Sequence, residues 1–297
     1  MKVLNFGSLN LDYVYQVEHF VQPGETLSAL HQTVKPGGKG LNQSVALARA
    51  GAEVFHAGCL GAGGESLQAL LKNCGVDTNC LRPVPELQGN AVIQVDRRGQ
   101  NCILLFGGSN QCVTSRQVED ALSHFSAGDY LVLQNEINLL PLIVDRAAER
   151  GMQIVLNPSP YDERLGAVDL GKVSWLLVNE VECEQLSGSE DPEAAWRILR
   201  QRYPRLKLLV TLGSAGSMAF TEYETVRQAA FPVQAVDSTG AGDTFTGFFV
   251  AGLMEGLDLA VNMRRASMAA AISVTRPGAA PSIPTRAEVE AALERNS

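Results

Sequence analysis

The stretch Val236-Asp237-Ser238-Thr239-Gly240-Ala241-Gly242-Asp243-Thr244-Phe245 decides how this sequence is interpreted. The apolar run 231–236 before its glycine turn predicts a strand, and the small and apolar residues after the turn predict a helix. Such a turn directs several backbone N–H groups to one point at the positive end of the helix dipole, where anions are stabilised. A carboxylate at Asp243 then has two interpretations. It caps the helix, or it takes a proton from a hydroxyl that attacks a phosphoryl group.

Length and composition indicate an ordinary globular protein. The chain has 297 residues, of which 45% are hydrophobic and 19% charged, enough for one large domain or a large and a small one. The net charge of −8 argues against sequence-independent nucleic-acid binding, which depends on Lys and Arg. No apolar run approaches the ~20 residues of a membrane span, and no signal peptide is apparent before the first strand. We therefore expect a soluble protein with neither a nucleic-acid nor a membrane partner.

The cysteines indicate a compartment rather than a site. The six cysteines form no C-x-x-C pair and have no histidine at metal-binding spacing. In a chain of this size we expect reduced thiols and a cytoplasmic location.

Two kinds of local pattern divide the chain. Alternating residues and turn signals in 10–36 and 88–108 predict hairpins. From residue 115 onward, helical stretches alternate with short runs of Val, Leu and Ile, which is typical of a parallel sheet covered on both faces. We expect a single α/β domain over residues 1–297, with three α/β/α layers around a mostly parallel sheet. The hairpin regions, about 10–36 and 88–108, would form a small β lid.

Polar residues follow the first strand in Gly7-Ser8-Leu9-Asn10-Leu11-Asp12. They would lie at the carboxyl end of a strand, where open α/β sheets bind ligands, although Asn and Asp also form ordinary Asx turns. An Asp acceptor beside an Asn suits a vicinal diol, because both side chains can be paired.

A second glycine segment is Pro36-Gly37-Gly38-Lys39-Gly40-Leu41-Asn42-Gln43, which precedes a predicted helix. Adjacent glycines permit close approach of the backbone to a ligand, and a plain surface turn is the alternative. The segment is not a P-loop, because the G-x-x-x-x-G-K-[ST] pattern is not met.

Two further segments follow predicted strands. Asn179-Glu180-Val181-Glu182 contains either solvated charges at a helix start or carboxylates that hold water-coordinated Mg²⁺. Thr211-Leu212-Gly213-Ser214-Ala215-Gly216 predicts, by itself, only a β-turn.

Together these motifs resemble those of the PfkB (ribokinase-like) family of carbohydrate kinases, and the resemblance covers essentially the whole chain. Gly240-Ala241-Gly242-Asp243 is similar to the second family signature, and the Gly-Gly-Lys-Gly-x-Asn-Gln segment to the first signature in its ribokinase form. The segment starting at Thr211 is similar to the family's ATP loop. The resemblance implies ATP-dependent phosphorylation of a primary hydroxyl of a sugar, with D-ribose favoured.

The resemblance also implies roles for individual residues. Asp243 would be the general base, beside an anion hole formed by the amides of Gly240, Ala241 and Gly242. The sugar contacts would be Asn10, Asp12, Gly38, Lys39, Asn42, Glu136 and Asp243. The ATP contacts would be Asn179, Thr211, Gly213, Ser214, Gly216, Gly242 and Ser267. Glu182 would help to bind Mg²⁺. A monovalent cation, expected to be K⁺, would be held by oxygens of Asp237, Thr239, Ser273, Arg276, Gly278 and Ser282. Lids of this family often pair, which implies a homodimer.

Two departures from the family pattern leave the identity of the sugar open. Ala62-Gly63-Gly64-Glu65 replaces an Asp-rich turn, and Gln88-Gly89-Asn90 stands where ribokinases commonly have Thr-Gly. The alternatives are a nucleoside or other carbohydrate kinase on the same scaffold, or a non-catalytic sugar-binding regulator.

Overall fold

The computed structural model describes residues 1–296, so Ser297, the last residue of the expected domain, lies outside the described residues. These residues form a nine-stranded sheet and a separate four-stranded sheet. The large sheet consists of β1 (Val3–Phe6), β4 (Val54–Ala62), β5 (Leu81–Leu87), β8 (Tyr130–Gln134), β9 (Gln153–Asn157), β10 (Trp175–Asn179), β11 (Lys207–Thr211), β12 (Ser217–Phe220) and β13 (Thr225–Gln228). The small sheet consists of β2 (Asn10–Gln16), β3 (His31–Gly37), β6 (Asn90–Val95) and β7 (Asn101–Phe106).

The large sheet is parallel except at one edge. Its strand order is β13-β12-β11-β10-β9-β8-β1-β4-β5, and only the β11–β12 and β12–β13 pairs are antiparallel. The central strands are buried on both faces, which explains their continuous apolar composition.

Helices cover both faces of this sheet. They are α1 (Lys39–Arg49), α2 (Glu65–Asn73), α3 (Ser115–Leu122), α4 (Leu140–Glu149), α5 (Glu180–Ser187), α6 (Pro192–Arg202), α7 (Ala241–Glu255), α8 (Leu259–Ser273) and α9 (Arg286–Arg295). Val3 packs in one core with α1, α2, α7, α8 and α9. Leu4, on the opposite face of the same strand, packs in a second core with α3 to α6. The expected three-layer α/β/α architecture is confirmed. No helix within residues 1–296 is both long and apolar enough to cross a membrane.

The small sheet has the strand order β3-β2-β6-β7 and lies within the ranges 10–37 and 90–106. Because side chains alternate along a strand, Asp12 and Tyr13 point to opposite faces. We call the face that carries Tyr13 the outer face. Val34 and Leu104 lie in register with Tyr13 through the intervening pairs, and both are exposed.

One strand prediction was wrong. Residues 231–236 form no strand, and Val233 and Val236 are exposed. The edge of the large sheet is occupied by β13, which ends at Gln228, so the following segment has no strand beside it. It is held by the Val236 N–H, which donates to the Val274 carbonyl at 2.7 Å. The apolar composition of residues 231–236 therefore predicted a strand, but no neighbouring strand is available to pair with this segment.

Candidate active site

The carboxyl ends of the parallel strands meet the first turn of α7 in an open cleft of about 620 Å³. Asn179 ends β10 and Thr211 ends β11, which places both at this edge. The cleft is lined by Lys39, Asn157, Ser159, Leu177, Val178, Asn179, Glu182, Leu209, Thr211, Gly240, Gly242, Asp243 and Thr246. Seven predicted site residues are therefore brought together here.

Asp243 lies in the first turn of α7 and is held by two side-chain amides. Asn42 Nδ2 donates to Asp243 Oδ2 and Gln43 Nε2 donates to Oδ1, both at 2.9 Å. Burial raises the pKa of Asp243 above its usual value, although Lys39 and the two amides act in the opposite direction. The carboxylate is oriented, and it accepts protons more readily than an exposed aspartate.

The backbone before Asp243 presents free donors. Gly240 is the N-cap of α7 with φ +75°, a left-handed conformation that favours glycine. Within residues 1–296 the N–H groups of Gly240, Gly242 and Asp243 donate no hydrogen bond to the protein. The N–H of Ala241, by contrast, donates to the Ser238 carbonyl at 3.2 Å, and Ala241 lies outside the cleft lining. The free backbone donors at this turn are thus the amides on either side of Ala241, whereas the Ala241 amide, expected in the anion hole, is already bonded.

Lys39 is the positive charge at the centre of the site. Its Nζ lies 3.7 Å from Glu136 Oε1. Burial lowers the pKa of Lys39, but the carboxylates of Glu136, Asp243 and Glu182 outweigh burial and raise the pKa above its usual value. Lys39 is therefore positively charged at neutral pH.

Glu136 forms hydrogen bonds mainly with other groups of the protein. Its Oε2 accepts from the Lys39 backbone N–H at 3.0 Å and from the Ser8 hydroxyl. The glycine segment packs tightly here, because a Cβ on Gly40 would come 2.3 Å from the Ser8 nitrogen. Similarly, a Cβ on Gly37 would come 2.1 Å from the Asp12 carboxylate. These close approaches explain why the segment is rich in glycine.

Asn42 carries an unused acceptor. Its Nδ2 is bonded to Asp243, whereas its Oδ1 is buried and has no hydrogen-bond partner. A buried polar atom without a partner costs free energy, so it marks a place where a ligand hydroxyl can donate.

Asn10 and Asp12, both expected to contact the sugar, lie on β2 of the small sheet, and neither lines the cleft. Asn110 Nδ2 donates to Asn10 Oδ1 at 2.7 Å, which leaves Asn10 Nδ2 as the group available to a ligand. Burial, together with Glu136, raises the pKa of Asp12 to about 7, while Lys39 and Lys35 partly oppose the rise. The site thus offers a donor and a titrating acceptor close together on one strand.

The two departures from the family pattern are physically coupled. Gln88 Oε1 accepts from the Gly61 N–H at 2.9 Å, and Gln88 Nε2 donates to the Leu9 carbonyl at 2.6 Å. A Cβ on Gly64 would come 2.1 Å from Gln88 Oε1. The shortened glycine turn leaves room for the long Gln88 side chain, which links that turn to the strand carrying Asn10.

Asn179 and Glu182 form a capping box at the start of α5. The Asn179 N–H donates to Glu182 Oε2 at 3.1 Å, and the Glu182 N–H donates to Asn179 Oδ1 at 2.8 Å. Glu182 Oε1 makes no hydrogen bond to residues 1–296. The described residues contain no cluster of three or more His, Cys, Asp or Glu that could hold a metal ion. One free carboxylate oxygen nevertheless fits Mg²⁺ bound to nucleotide phosphates, because that ion keeps most of its waters.

Asp237 connects the two loops expected to hold the monovalent cation. Its Oδ1 accepts from the Thr239 N–H at 2.9 Å, and its Oδ2 from the Gly278 N–H at 2.8 Å. Burial raises the pKa of Asp237, but the Thr239 side chain, the Thr239 and Gly278 N–H groups and the charge of Lys35 together outweigh burial and lower the pKa below its usual value. The Ser273 and Ser282 hydroxyls donate to Ala270 and Ala279, so their oxygens remain available as acceptors. An ionised carboxylate among hydroxyl and carbonyl oxygens suits K⁺.

Other predicted residues lie away from the cleft. Ser267 is buried within α8, and Arg276 pairs through its side chain with Glu288. Gly213 and Ser214 start the turn after β11, but neither lines the cleft. Gly216 is required by the turn itself, because a Cβ there would come 2.0 Å from the Gln228 carbonyl oxygen.

Sequence reasoning missed Asn157, Ser159 and Thr246, which all line the cleft. Asn157 ends β9 just as Asn179 ends β10, so a rule that examined every polar residue at a strand end would have found it.

Comparisons with known proteins agree with this geometry. The sequence profile described as "pfkB family carbohydrate kinase" matches residues 1–286. A ribokinase of Haemophilus influenzae is 36% identical, over 97% of this chain and 97% of its own. The crystal structure of ribokinase from Cryptococcus neoformans var. grubii serotype A in complex with ADP has a TM-score of 0.87 and 34% identity, and covers 98% of this chain and 99% of its own. That of Arabidopsis thaliana ribokinase complexed with ribose and ATP has a TM-score of 0.88 and 30% identity, and covers 99% of this chain and 98% of its own.

Proposed function

This chain belongs to the pfkB family of carbohydrate kinases, and we propose that it transfers the γ-phosphoryl group of ATP to the primary hydroxyl of a pentose, with D-ribose giving ribose 5-phosphate. One observation carries the proposal. A carboxylate oriented by Asn42 and Gln43 lies beside free backbone amides at a helix start, in a cleft that also contains Lys39.

The reaction follows from these groups. The sugar hydroxyl gives its proton to Asp243, and its oxygen forms a bond to the γ-phosphorus. The bond between that phosphorus and the β,γ-bridging oxygen breaks, and ADP leaves. The amides of Gly240, Gly242 and Asp243, with Lys39, stabilise the negative charge on the transferred oxygens.

Sugar recognition would use the unpaired polar groups of the site. Asn10 Nδ2 would donate to a sugar oxygen, while Asp12 and Asn42 Oδ1 would accept from hydroxyls. Closure of the small sheet over the sugar would exclude water, which is a competing phosphoryl acceptor. Gly38, in the segment between the small sheet and α1, would allow this movement.

We propose that nucleotide binding uses Asn179, Thr211 and Gly242 in the cleft. The turn that contains Gly213, Ser214 and Gly216 would also contact the nucleotide. Ser267, which is buried within α8, would act only indirectly. Glu182 would hold Mg²⁺, which supplies charge neutralisation to the phosphates. Asp237, Thr239, Ser273, Arg276, Gly278 and Ser282 would hold K⁺ through oxygens and thereby order the loop before α7.

We further propose a cytoplasmic homodimer that pairs through the small sheet. The location is supported by the six cysteines, which are all free thiols in the structure. Pairing is supported by exposed apolar side chains on the outer face, of which Leu104 is 71% and Phe106 53% exposed. Cell fractionation with an activity assay tests the location.

A substrate panel tests the reaction. Purified protein with Mg²⁺, K⁺ and ATP is assayed for ADP release on D-ribose, 2-deoxy-D-ribose, D-fructose and adenosine, and kcat/KM is compared. We expect D-ribose to give the highest kcat/KM and ³¹P and ¹³C NMR to place the phosphate on C5. A higher kcat/KM for adenosine would favour the nucleoside-kinase alternative. Binding of a sugar without turnover on any compound would favour a non-catalytic regulator.

Substitution of Asp243 tests the mechanism separately from the substrate. Asp243→Ala and Asp243→Asn should lower kcat by about 10²–10⁴-fold, the usual contribution of a general base. Asparagine at this position directs one N–H group at the amide of Asn42 or Gln43, so the alanine variant is the cleaner one. Retention of turnover in Asp243→Ala would refute the role as base.

A further inference from the structure

A row of fully buried polar side chains runs through the layer between the large sheet and α1. Gln43 and Ser44 lie on α1, and Asn5, His56 and Gln134 lie on the central strands β1, β4 and β8. All five have 0% exposure. Polar groups in an apolar layer are costly unless their hydrogen bonds are satisfied, so the row requires a physical reason.

Hydrogen bonds connect this row to Asp243. Gln134 Nε2 donates to Gln43 Oε1 at 2.6 Å and to Asn5 Oδ1 at 2.9 Å. Gln43 Nε2 in turn donates to Asp243 Oδ1 at 2.9 Å. The three residues Gln134, Gln43 and Asp243 thus form one path, although they come from β8, α1 and α7.

The chemistry of the amide group makes this path directional. A glutamine amide has one acceptor oxygen and one donor nitrogen. If the Gln43 amide turned over, its oxygen would face the Asp243 carboxylate and its nitrogen would face the donor Nε2 of Gln134. Both contacts would become repulsive. The proton that Gln134 Nε2 donates to Gln43 Oε1 and the Asp243 carboxylate therefore together determine which way the Gln43 amide points.

Gln134 is oriented by its other neighbour. Asn5 Nδ2 donates to the Gly40 carbonyl at 2.7 Å and to Ser44 Oγ at 2.8 Å, so both of its protons are used and its Oδ1 must accept from Gln134. The oxygen of Gln134 is buried and unpaired. The amide of Gln134 is consequently held by its donor side alone.

Ser44 and His56 complete the row on the side away from Asp243. Ser44 Oγ accepts from Asn5 Nδ2 at 2.8 Å and forms a hydrogen bond of 2.7 Å with His56 Nδ1. Burial lowers the pKa of His56 to about 3, so this end of the row carries no charge at neutral pH.

We propose that Gln134 is a positioning residue for phosphoryl transfer: it holds the Gln43 amide with its nitrogen toward Asp243, so that the carboxylate keeps the orientation in which it accepts the proton of the substrate hydroxyl. This role rests on the proposed function, in which Asp243 is the base. Gln134 itself touches neither sugar nor nucleotide.

Substitution of Gln134 tests the role. Gln134→Met keeps the size of the side chain and removes both donated hydrogen bonds, and Gln134→Glu keeps the shape and replaces the donor nitrogen with oxygen. We expect kcat to fall by about 10- to 100-fold in either variant, the effect of a small misplacement of a reacting group. KM for the sugar and for ATP should change by less than threefold.

A double-mutant cycle separates positioning from general damage. Gln43→Met should lower kcat at least as much as Gln134→Met, and the double variant should be no worse than Gln43→Met alone, because Gln134 acts through Gln43. Ser44→Ala is the matched control. It also removes buried hydrogen bonds of the row, but leaves the path from Gln134 to Asp243 intact, so its melting temperature should fall while kcat stays within twofold of the parent protein.

The parent protein gives a readout that needs no variant. In side-chain ¹⁵N–¹H spectra, the Nε2 protons of Gln134 and Gln43 should exchange slowly with solvent. Fast exchange of these protons, a kcat within twofold of the parent in a folded Gln134 variant, or additive losses in the double variant would each overturn the proposal. An inactive parent protein would instead refute the proposed function, so the two failures are distinguishable.

Discussion

Gly247 of α7 lies directly against Ala46 of α1: a Cβ on Gly247 would come 2.3 Å from the Cβ of Ala46 and 2.7 Å from the Leu47 nitrogen. The missing side chain lets the two helices approach closely. Since α1 carries Asn42 and Gln43 while α7 carries Asp243, this approach brings the two amides within hydrogen-bond distance of the carboxylate. A packing contact one helical turn beyond Asp243 thus controls the geometry of the site.

Gly247→Ala should destabilise the protein by about 1–3 kcal/mol, the usual cost of overpacking, because the backbone of α1 must move. Thermal unfolding followed by circular dichroism measures this change. We also expect kcat to fall, since the same movement takes Asn42 and Gln43 away from Asp243. Gly166→Ala is the control, because a Cβ at that position meets nothing within 4 Å. It should change the free energy of unfolding by no more than about 0.5 kcal/mol. An equally small effect of Gly247→Ala would contradict the packing argument.

Sugar affinity should depend on pH through Asp12. Its pKa is raised to about 7, so the carboxyl is protonated below that pH and ionised above it. A sugar hydroxyl donates a stronger, charge-assisted hydrogen bond to the ionised form. KM for ribose should therefore fall as the pH rises toward 7, by about tenfold per pH unit at most, and level off above 7. Initial rates between pH 5.5 and 8.5 measure it.

Asp12→Asn is the control for this titration, and it should raise KM above pH 7, where the parent carboxyl is ionised, while removing the pH dependence of KM. Stability gives a second check. The folded protein holds the Asp12 proton more tightly than the unfolded chain, because folding raises the pKa of this carboxyl from its ordinary value of 3.8 to about 7. The contribution of Asp12 to the free energy of unfolding therefore decreases as the pH rises through this window. A KM for ribose that is flat across pH 5.5–8.5 in the parent protein would contradict the assignment of Asp12 as an acceptor.

Leu104→Asp should convert the proposed dimer to monomers, because it puts a charge among the exposed apolar side chains of the outer face. Size-exclusion chromatography with light scattering measures the mass. Tyr223→Asp makes the same kind of change at a residue that is 91% exposed, beside the β12–β13 edge of the large sheet, and should leave the dimer intact. A parent protein that is monomeric throughout the working concentration range would refute pairing.

The monovalent cation should act through Asp237. At constant ionic strength we expect K⁺ to raise kcat severalfold over choline in the parent protein, because the proposed ion would order the loop that carries Gly240. Asp237→Ala should lower the rate and abolish the response to K⁺. Asp258→Ala removes an exposed aspartate that makes no capping hydrogen bond at the start of α8, and should keep the response. Equal rates of the parent protein in K⁺ and choline would count against the site.

Local patterns predicted most of the secondary structure. The predicted alternation of helices and strands after residue 115 is present, for example in the strands 130–134, 153–157 and 175–179 and the helix 192–202, since each is defined by its own composition and by turn residues beside it. The strand predicted at 231–236 is absent because local composition alone does not make a strand. A strand needs a partner, and whether an edge is free is a property of the assembled sheet.

The glycine motifs and the polar residues at strand ends determined, from the sequence by itself, the family, the α/β/α layers and the neighbourhood of Asp243. Only the tertiary structure decided which amides at the start of α7 are free, why Gln88 accompanies a shortened turn, and that Gln134 holds Gln43 against Asp243. The reason is separation along the chain. Gln134 lies 91 residues from Gln43, and Gln43 lies 200 residues from Asp243. Contacts over such distances are made by the packing of helices on the sheet, and no local pattern encodes them.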